Sequence, residues 1–168
     1  ILLLLATLLL GSPMASPGAA QEIKLSTWNI AWLTLKPAGH PDLPRNLATR
    51  SEADWRLLRA YADRLAADVV ALQEIDGEAA AARLFDPAQY LIHLTDEDDL
   101  QRPGFAIRRS LRVTRHRDLV ELDIRAGARR SLRRGADVTV EGANGARLRL
   151  LSVHLNAGCR EDPLSRDS

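Results

Sequence analysis

The 168-residue chain has one cysteine, two lysines among 23 basic residues, and no apolar run long enough to cross a bilayer. Each scarcity excludes something. One cysteine cannot close a disulfide framework within the chain, and no cysteine–histidine cluster offers a zinc site. Residues 1–10 (ILLLLATLLL) form the longest apolar-dominated stretch, short of the roughly 20 residues a membrane helix needs, so stable membrane insertion is not expected. Ten glycines and no low-complexity tract exclude a fibrous protein. A net charge of +1 excludes a uniformly basic nucleic-acid tail and an acidic disordered chain. What is present, 46% hydrophobic and 27% charged residues, is the profile of one ordinary domain with little room for two.

Residues 1–20 read as a targeting segment. The apolar run is broken by Gly11, Ser12 and Pro13, and Gly18 and Ala20 place small residues at the −3 and −1 positions of a cut before Gln21. This is the apolar core and cleavage site of a secretory signal peptide with its charged start missing. The alternative is a buried core helix. No cysteine follows the run to carry a lipid anchor. A secreted or periplasmic location is therefore expected, with residues 21–168 as the domain.

The first strand is expected at residues 23–30, where apolar and polar residues alternate. Residues 34–49 carry Pro37, Gly39, Pro41 and Pro44 and read as a loop. Ser51-Glu52-Ala53-Asp54 is a capping-box signature, followed by Trp55, Leu58, Ala62, Leu65 and Ala66 at helical spacing. Residues 68–73 (DVVALQ) form a short apolar run, expected as a strand buried on both faces. A short alanine-rich helix at 78–84 and strands at 90–94, 104–107, 113–124, 136–141 and 146–155 follow. Asn144-Gly145 favours a hairpin between the last two. The order of strand, helix, strand, short helix and many strands predicts a mixed α/β layer protein.

Charge is divided unevenly. Residues 41–100 carry net −7, while residues 102–134 carry eleven arginines and net +8. Solvated strand faces in an arginine-rich protein account for this; so does a surface that attracts phosphate.

Three segments place polar chemistry at the ends of apolar strands: STWNI ending at Asn29, VVALQEI carrying Glu74, and LLSVHL carrying His154. Burying a carboxylate costs several kcal/mol unless a cation or hydrogen-bond donors pair with it. Magnesium takes hard oxygen ligands and often only one or two carboxylates. A histidine there can serve as an acid or a hydrogen-bond donor. Taken singly, such an asparagine is more often a turn residue, such a glutamate more often an arginine's partner, and such a histidine more often a structural residue. Their shared placement matters, because α/β folds gather sites in the loops at strand ends.

In this order the segments resemble the endonuclease/exonuclease/phosphatase family, the deoxyribonuclease I-like superfamily. The matching stretches are STWNIAWL, VVALQEID, QRPGFAIRRS and LLSVHLNAGC, covering nearly all of residues 21–159. The resemblance implies a four-layer α/β sandwich, two sheets face to face with helices outside, present as an incomplete N-terminal portion. It implies hydrolysis of a phosphoester, a phosphodiester such as nucleic acid being the expected substrate, with Mg2+, Mn2+ or Ca2+ as cofactor. Glu74 matches the family's metal-binding carboxylate, Asn29 the asparagine beside that metal, and His154 the histidine on the scissile phosphate. Gln101 and Arg102 match positions that help orient phosphate.

The family's Gly-Asp-x-Asn and terminal Ser-Asp-His motifs, which orient the nucleophile and activate water, are absent from this sequence. The expectation is that the chain is the front part of a longer enzyme and is inactive alone. Cys159 then either pairs with a cysteine beyond residue 168 or stays a free buried thiol. Two other functions compete with a nuclease: a phospholipid or sugar-phosphate phosphoesterase, and a non-catalytic extracellular binding module on the same fold.

Overall fold

The computed structural model describes residues 22–123 and 133–155. The expected signal segment, its cleavage point and Cys159 lie outside the described residues.

Strand β1 (Leu25–Leu33) leads through the proline-containing loop to helix α1 (Glu52–Leu65) and returns to β2 (Val69–Ile75), which pairs with β1 in parallel. The helix starts where the sequence says it must. Asp54 N–H donates to Ser51 Oγ at 3.2 Å and Ser51 N–H donates to Asp54 Oδ2 at 2.8 Å, the reciprocal bonds of a capping box. Its inward face, Trp55, Leu58, Ala62 and Leu65, packs with Ile30, Val70, Leu72 and Ile75. Truncating a buried side chain such as Trp55 to alanine typically costs about 3–5 kcal/mol. Helix α2 (Glu78–Ala82) adds Ala80 and Ala81 to the same cluster.

Strands β3 (Tyr90–Leu94) and β4 (Arg102–Arg108) complete a four-stranded sheet in the order β1-β2-β4-β3. A Cβ on Gly104 would lie 2.2 Å from the His93 carbonyl oxygen and 2.5 Å from Leu94 Cδ2, so only glycine fits this pairing. Strands β5 (Arg112–Arg115), β6 (Ala136–Glu141) and β7 (Arg147–Ser152) form a second, antiparallel sheet in the order β5-β6-β7. The β6–β7 hairpin turns at Gly145, whose φ of +77° no side chain would favour.

The two sheets meet face to face. Val69, Phe105 and Ile107 of the first pack against Ala136, Val138 and Val140 of the second. Alternate β2 residues serve opposite faces, Val70 and Leu72 toward the helices and Val69 toward the other sheet, so β2 is covered on both sides as its apolar run predicts. The fold is the mixed α/β sandwich expected. Helices, first sheet and second sheet make three of its layers; among the described residues both α-helices lie over the first sheet.

One expected element is wrong. The strand expected over 113–124 is not continuous across its described part, 113–123: β5 stops at Arg115, a single bridge pairs Leu119 with Gly135, and a 3-10 turn (Val120–Leu122) follows. After Arg115 opposite Val138 the regular ladder stops although β6 runs on to Ala136: His116 N–H still donates to the Asp137 carbonyl, and pairing resumes only at the Leu119–Gly135 bridge, so the chain leaves the ladder in between.

Candidate functional site

The site lies where β1, β2 and the segment after β7 end together. Along β1 and β2 the register is regular from Leu25 opposite Val69 to Asn29 opposite Gln73, then breaks and resumes at Leu33 opposite Ile75. Ile30, Ala31 and Trp32 therefore face a single residue, Glu74. Ala31 (φ +41°), Trp32 (φ +56°) and Glu74 (φ +64°) are all left-handed without being glycine. Each costs about 1–2 kcal/mol, a strain that persists only where the surroundings over-determine it.

The break turns polar groups toward one carboxylate. Asn29 Nδ2 donates to Glu74 Oε1 at 3.0 Å, and Trp32 N–H donates to Oε2 at 3.1 Å. From the loop before β4, Gln101 Nε2 donates to Oε2 at 2.6 Å. His154 Nε2 stands 3.4 Å from Oε1. Ala31 N–H donates to Asn29 Oδ1 at 2.9 Å, which turns the amide so that its NH2 group faces the carboxylate.

The second sheet delivers His154. Ser152, buried at the end of β7, donates to the Leu72 carbonyl at 2.9 Å and accepts from Gln73 Nε2 at 3.2 Å. This pins β7 to β2 two residues before the histidine. The His154 side chain is 19% exposed and its Nδ1 is buried without a hydrogen-bond partner among the described residues.

The electrostatics are distinctive. The Glu74 side chain is 14% exposed, and among the described residues no arginine or lysine pairs with it. Burial pushes its carboxyl up, but the donors Asn29, Gln101 and Trp32 N–H, with His154 nearby, outweigh burial and hold it below the usual glutamate value. The result is an ionised carboxylate held mostly by neutral donors.

Of the residues singled out in the sequence, Asn29, Glu74, Gln101 and His154 converge. Arg102 goes elsewhere: it pairs with Ile75 in the ladder, its Nη2 lies against Gly77, and its buried Nε has no hydrogen-bond partner among the described residues. Arg133 instead reaches Gln101, one of the donors to the carboxylate, donating to its Oε1 and standing 3.8 Å from Asp99. Sequence reasoning saw the arginine-rich stretch without separating Arg133 from its neighbours.

No family model matches the chain, and no curated protein matches it. Among solved structures it is similar to a humanized TDP2 from D. rerio carrying 14 mutations, with 22% identity and a TM-score of 0.48 over 77% of this chain and 45% of that one. It is also similar to TDP2 from C. elegans, with 16% identity and a TM-score of 0.47 over 77% of this chain and 34% of that one. The chain thus spans less than half the length of either structure.

Proposed function

We propose that this chain carries the metal-binding half of a phosphoesterase site of the endonuclease/exonuclease/phosphatase kind, acting on phosphodiesters. The observation that supports the reading is the Glu74 carboxylate, largely shielded and ionised, with no arginine or lysine in hydrogen-bond or ion-pair contact among the described residues, Arg50 attracting it only from a distance. A structural glutamate in that position would ordinarily be neutralised by a basic side chain.

The residues fit a hard divalent ion. Magnesium is commonly held by one or two carboxylates, with waters and substrate phosphate filling the remaining positions. Glu74 is one such carboxylate; among the described residues no group of three or more acidic, histidine or cysteine side chains is placed to hold a metal ion, so Glu74 would be the single charged ligand they offer. Glu74 would hold the ion. Asn29 is set to orient that carboxylate, since its NH2 group faces Glu74 and its oxygen is taken by Ala31 N–H. When bound, a divalent ion stabilises negative charge on phosphoryl and leaving oxygens.

The chain's own groups supply the rest of what is present. His154, whose Nε2 is 3.4 Å from Oε1 of Glu74, would donate a hydrogen bond to a phosphate oxygen. Arg133 brings a guanidinium within one side chain of Glu74 through Gln101, adding positive charge where a phosphate would lie. Water activation requires a base that the described residues do not provide at this site; the proposal assigns it to segments of the Asp-His kind outside them. Export is part of the proposal and rests on residues 1–20 alone.

The test is hydrolysis by the complete gene product of a nucleic acid, a phospholipid and a small aryl phosphodiester, across a metal titration. Glu74→Gln keeps the shape of the side chain and removes its charge. The expected loss is about 100- to 1,000-fold in rate, partly recovered by raising magnesium or manganese. Wild-type rates for Glu74→Gln at limiting metal would overturn the reading, and the panel separates a nuclease from a lipid phosphoesterase.

A further inference from the structure

The Asn29–Glu74 arrangement depends on three consecutive residues that strand geometry does not favour. Ile30, Ala31 and Trp32 bulge against one residue of β2, with Ala31 and Trp32 left-handed. That bulge aims Ala31 N–H at Asn29 and Trp32 N–H at Glu74. It also turns three carbonyls out of the β1–β2 ladder, and all three are met by one side chain. Arg50 Nη1 donates to the Trp32 carbonyl at 2.8 Å, while Nη2 donates to the Ala31 carbonyl at 2.8 Å and to that of Ile30.

Arg50 is itself held. It is the residue before Ser51, the N-cap of α1, whose capping box fixes the chain at that point. Its guanidinium makes no direct ion pair with Glu74, attracting that carboxylate and Asp54 only from a distance; every bond it donates goes to the bulge. A planar fork with several fixed donors suits three adjacent carbonyls, whereas a lysine ammonium is a single flexible point.

We propose that Arg50 is a positioning residue for the site: it clamps the β1 bulge and, through Ala31 and Trp32, sets the orientation of Asn29 and Glu74. The clamp is a statement about structure; its consequence for metal binding rests on the phosphoesterase reading above. Residues that orient a metal ligand through hydrogen bonds typically matter by about 10- to 100-fold in metal affinity or activity.

The experiment compares wild type, Arg50→Met and Arg50→Lys by amide hydrogen exchange and by Mn2+ titration. In Arg50→Met the Ala31 and Trp32 amides should exchange about 10-fold faster or more, while Val70 and Ile107 in the sheet keep their protection. Mn2+ affinity should fall by about 10- to 100-fold. Methylguanidinium in the buffer should restore part of both, and Arg50→Lys should fall between. If Arg50→Met also loosens Val70 and Ile107, the same comparison is made with Arg50→Lys, which keeps the charge. Unchanged exchange at Ala31 and Trp32 in a folded variant would overturn the clamp. Wild-type protein that fails to bind Mn2+ while the exchange differences appear would contradict the phosphoesterase reading and leave the clamp standing.

Discussion

Glu74 and Asp137 are both carboxylates shielded on a strand of this domain, and the protein treats them in opposite ways. Asp137 on β6 has a side chain 1% exposed and is met by a forked pair of bonds from Arg149, Nε to Oδ1 at 3.0 Å and Nη2 to Oδ2. The Arg149 hydrogen bonds, chiefly, hold the Asp137 carboxyl below its usual value. Glu74 is met by an asparagine, a glutamine and a backbone N–H, with a histidine at the edge. One charge is cancelled within the fold. The other is solvated by the fold and left negative. Neutral donors that stabilise a carboxylate without neutralising it keep it able to attract a cation.

Breaking each carboxylate separately should therefore have opposite consequences. The largest effect is the loss of hydrolysis on Glu74→Gln, with the fold retained. Asp137→Asn should do the reverse. It leaves Arg149 without its partner charge, so the melting temperature falls, while hydrolysis and metal affinity stay at wild-type values. Because the Asp137 carboxyl titrates lower in the folded chain than in the unfolded one, its contribution is present above the ordinary aspartate range and is lost as the pH falls through its folded value. Thermal melts of wild type and Asp137→Asn should converge at acid pH. Melts that stay apart there would break the contrast.

A smaller effect comes from His93 on β3, whose Nε2 is buried without a hydrogen-bond partner among the described residues. Burial, aided by Arg115, lowers its pKa against the opposing pull of Asp118 and Glu78. The unfolded chain then takes up this proton more readily than the folded one. Stability should decline as the pH drops through about 6.5, the unfolded value, and level off below the folded one. His93→Gln should remove that slope. A slope that persists unchanged in the variant would assign it to another group.

Much of this arrangement is legible in the sequence, and the residues show why the rest is not. Strands β3 and β6 fall where alternation and apolar runs put them, because each pairs along its whole length. The capping box places the start of α1 to the residue. Asn29, Glu74 and His154 are visible because each ends an apolar strand. The bulge at Ala31 and Trp32 is not legible: neither residue is a glycine or asparagine, and the left-handed conformation is imposed by Arg50 and Glu74 from elsewhere in the chain. Arg50 and Arg133 are hidden for a related reason. They are two of 21 arginines, and only the tertiary fold distinguishes a clamp from a solvated charge. The over-long strand at 113–124 shows the same limit, since an apolar run does not reveal that the pairing with β6 is interrupted between Arg115 and Leu119.

The central claim is that Glu74 keeps its charge for a cation and Asp137 does not. Calorimetric titration of Mn2+ into wild type, Glu74→Gln and Asp137→Asn tests it without any need for turnover. The account predicts one binding event in wild type, the same event in Asp137→Asn, and an affinity about 10-fold weaker or worse in Glu74→Gln. Equal Mn2+ affinity in wild type and Glu74→Gln would contradict it.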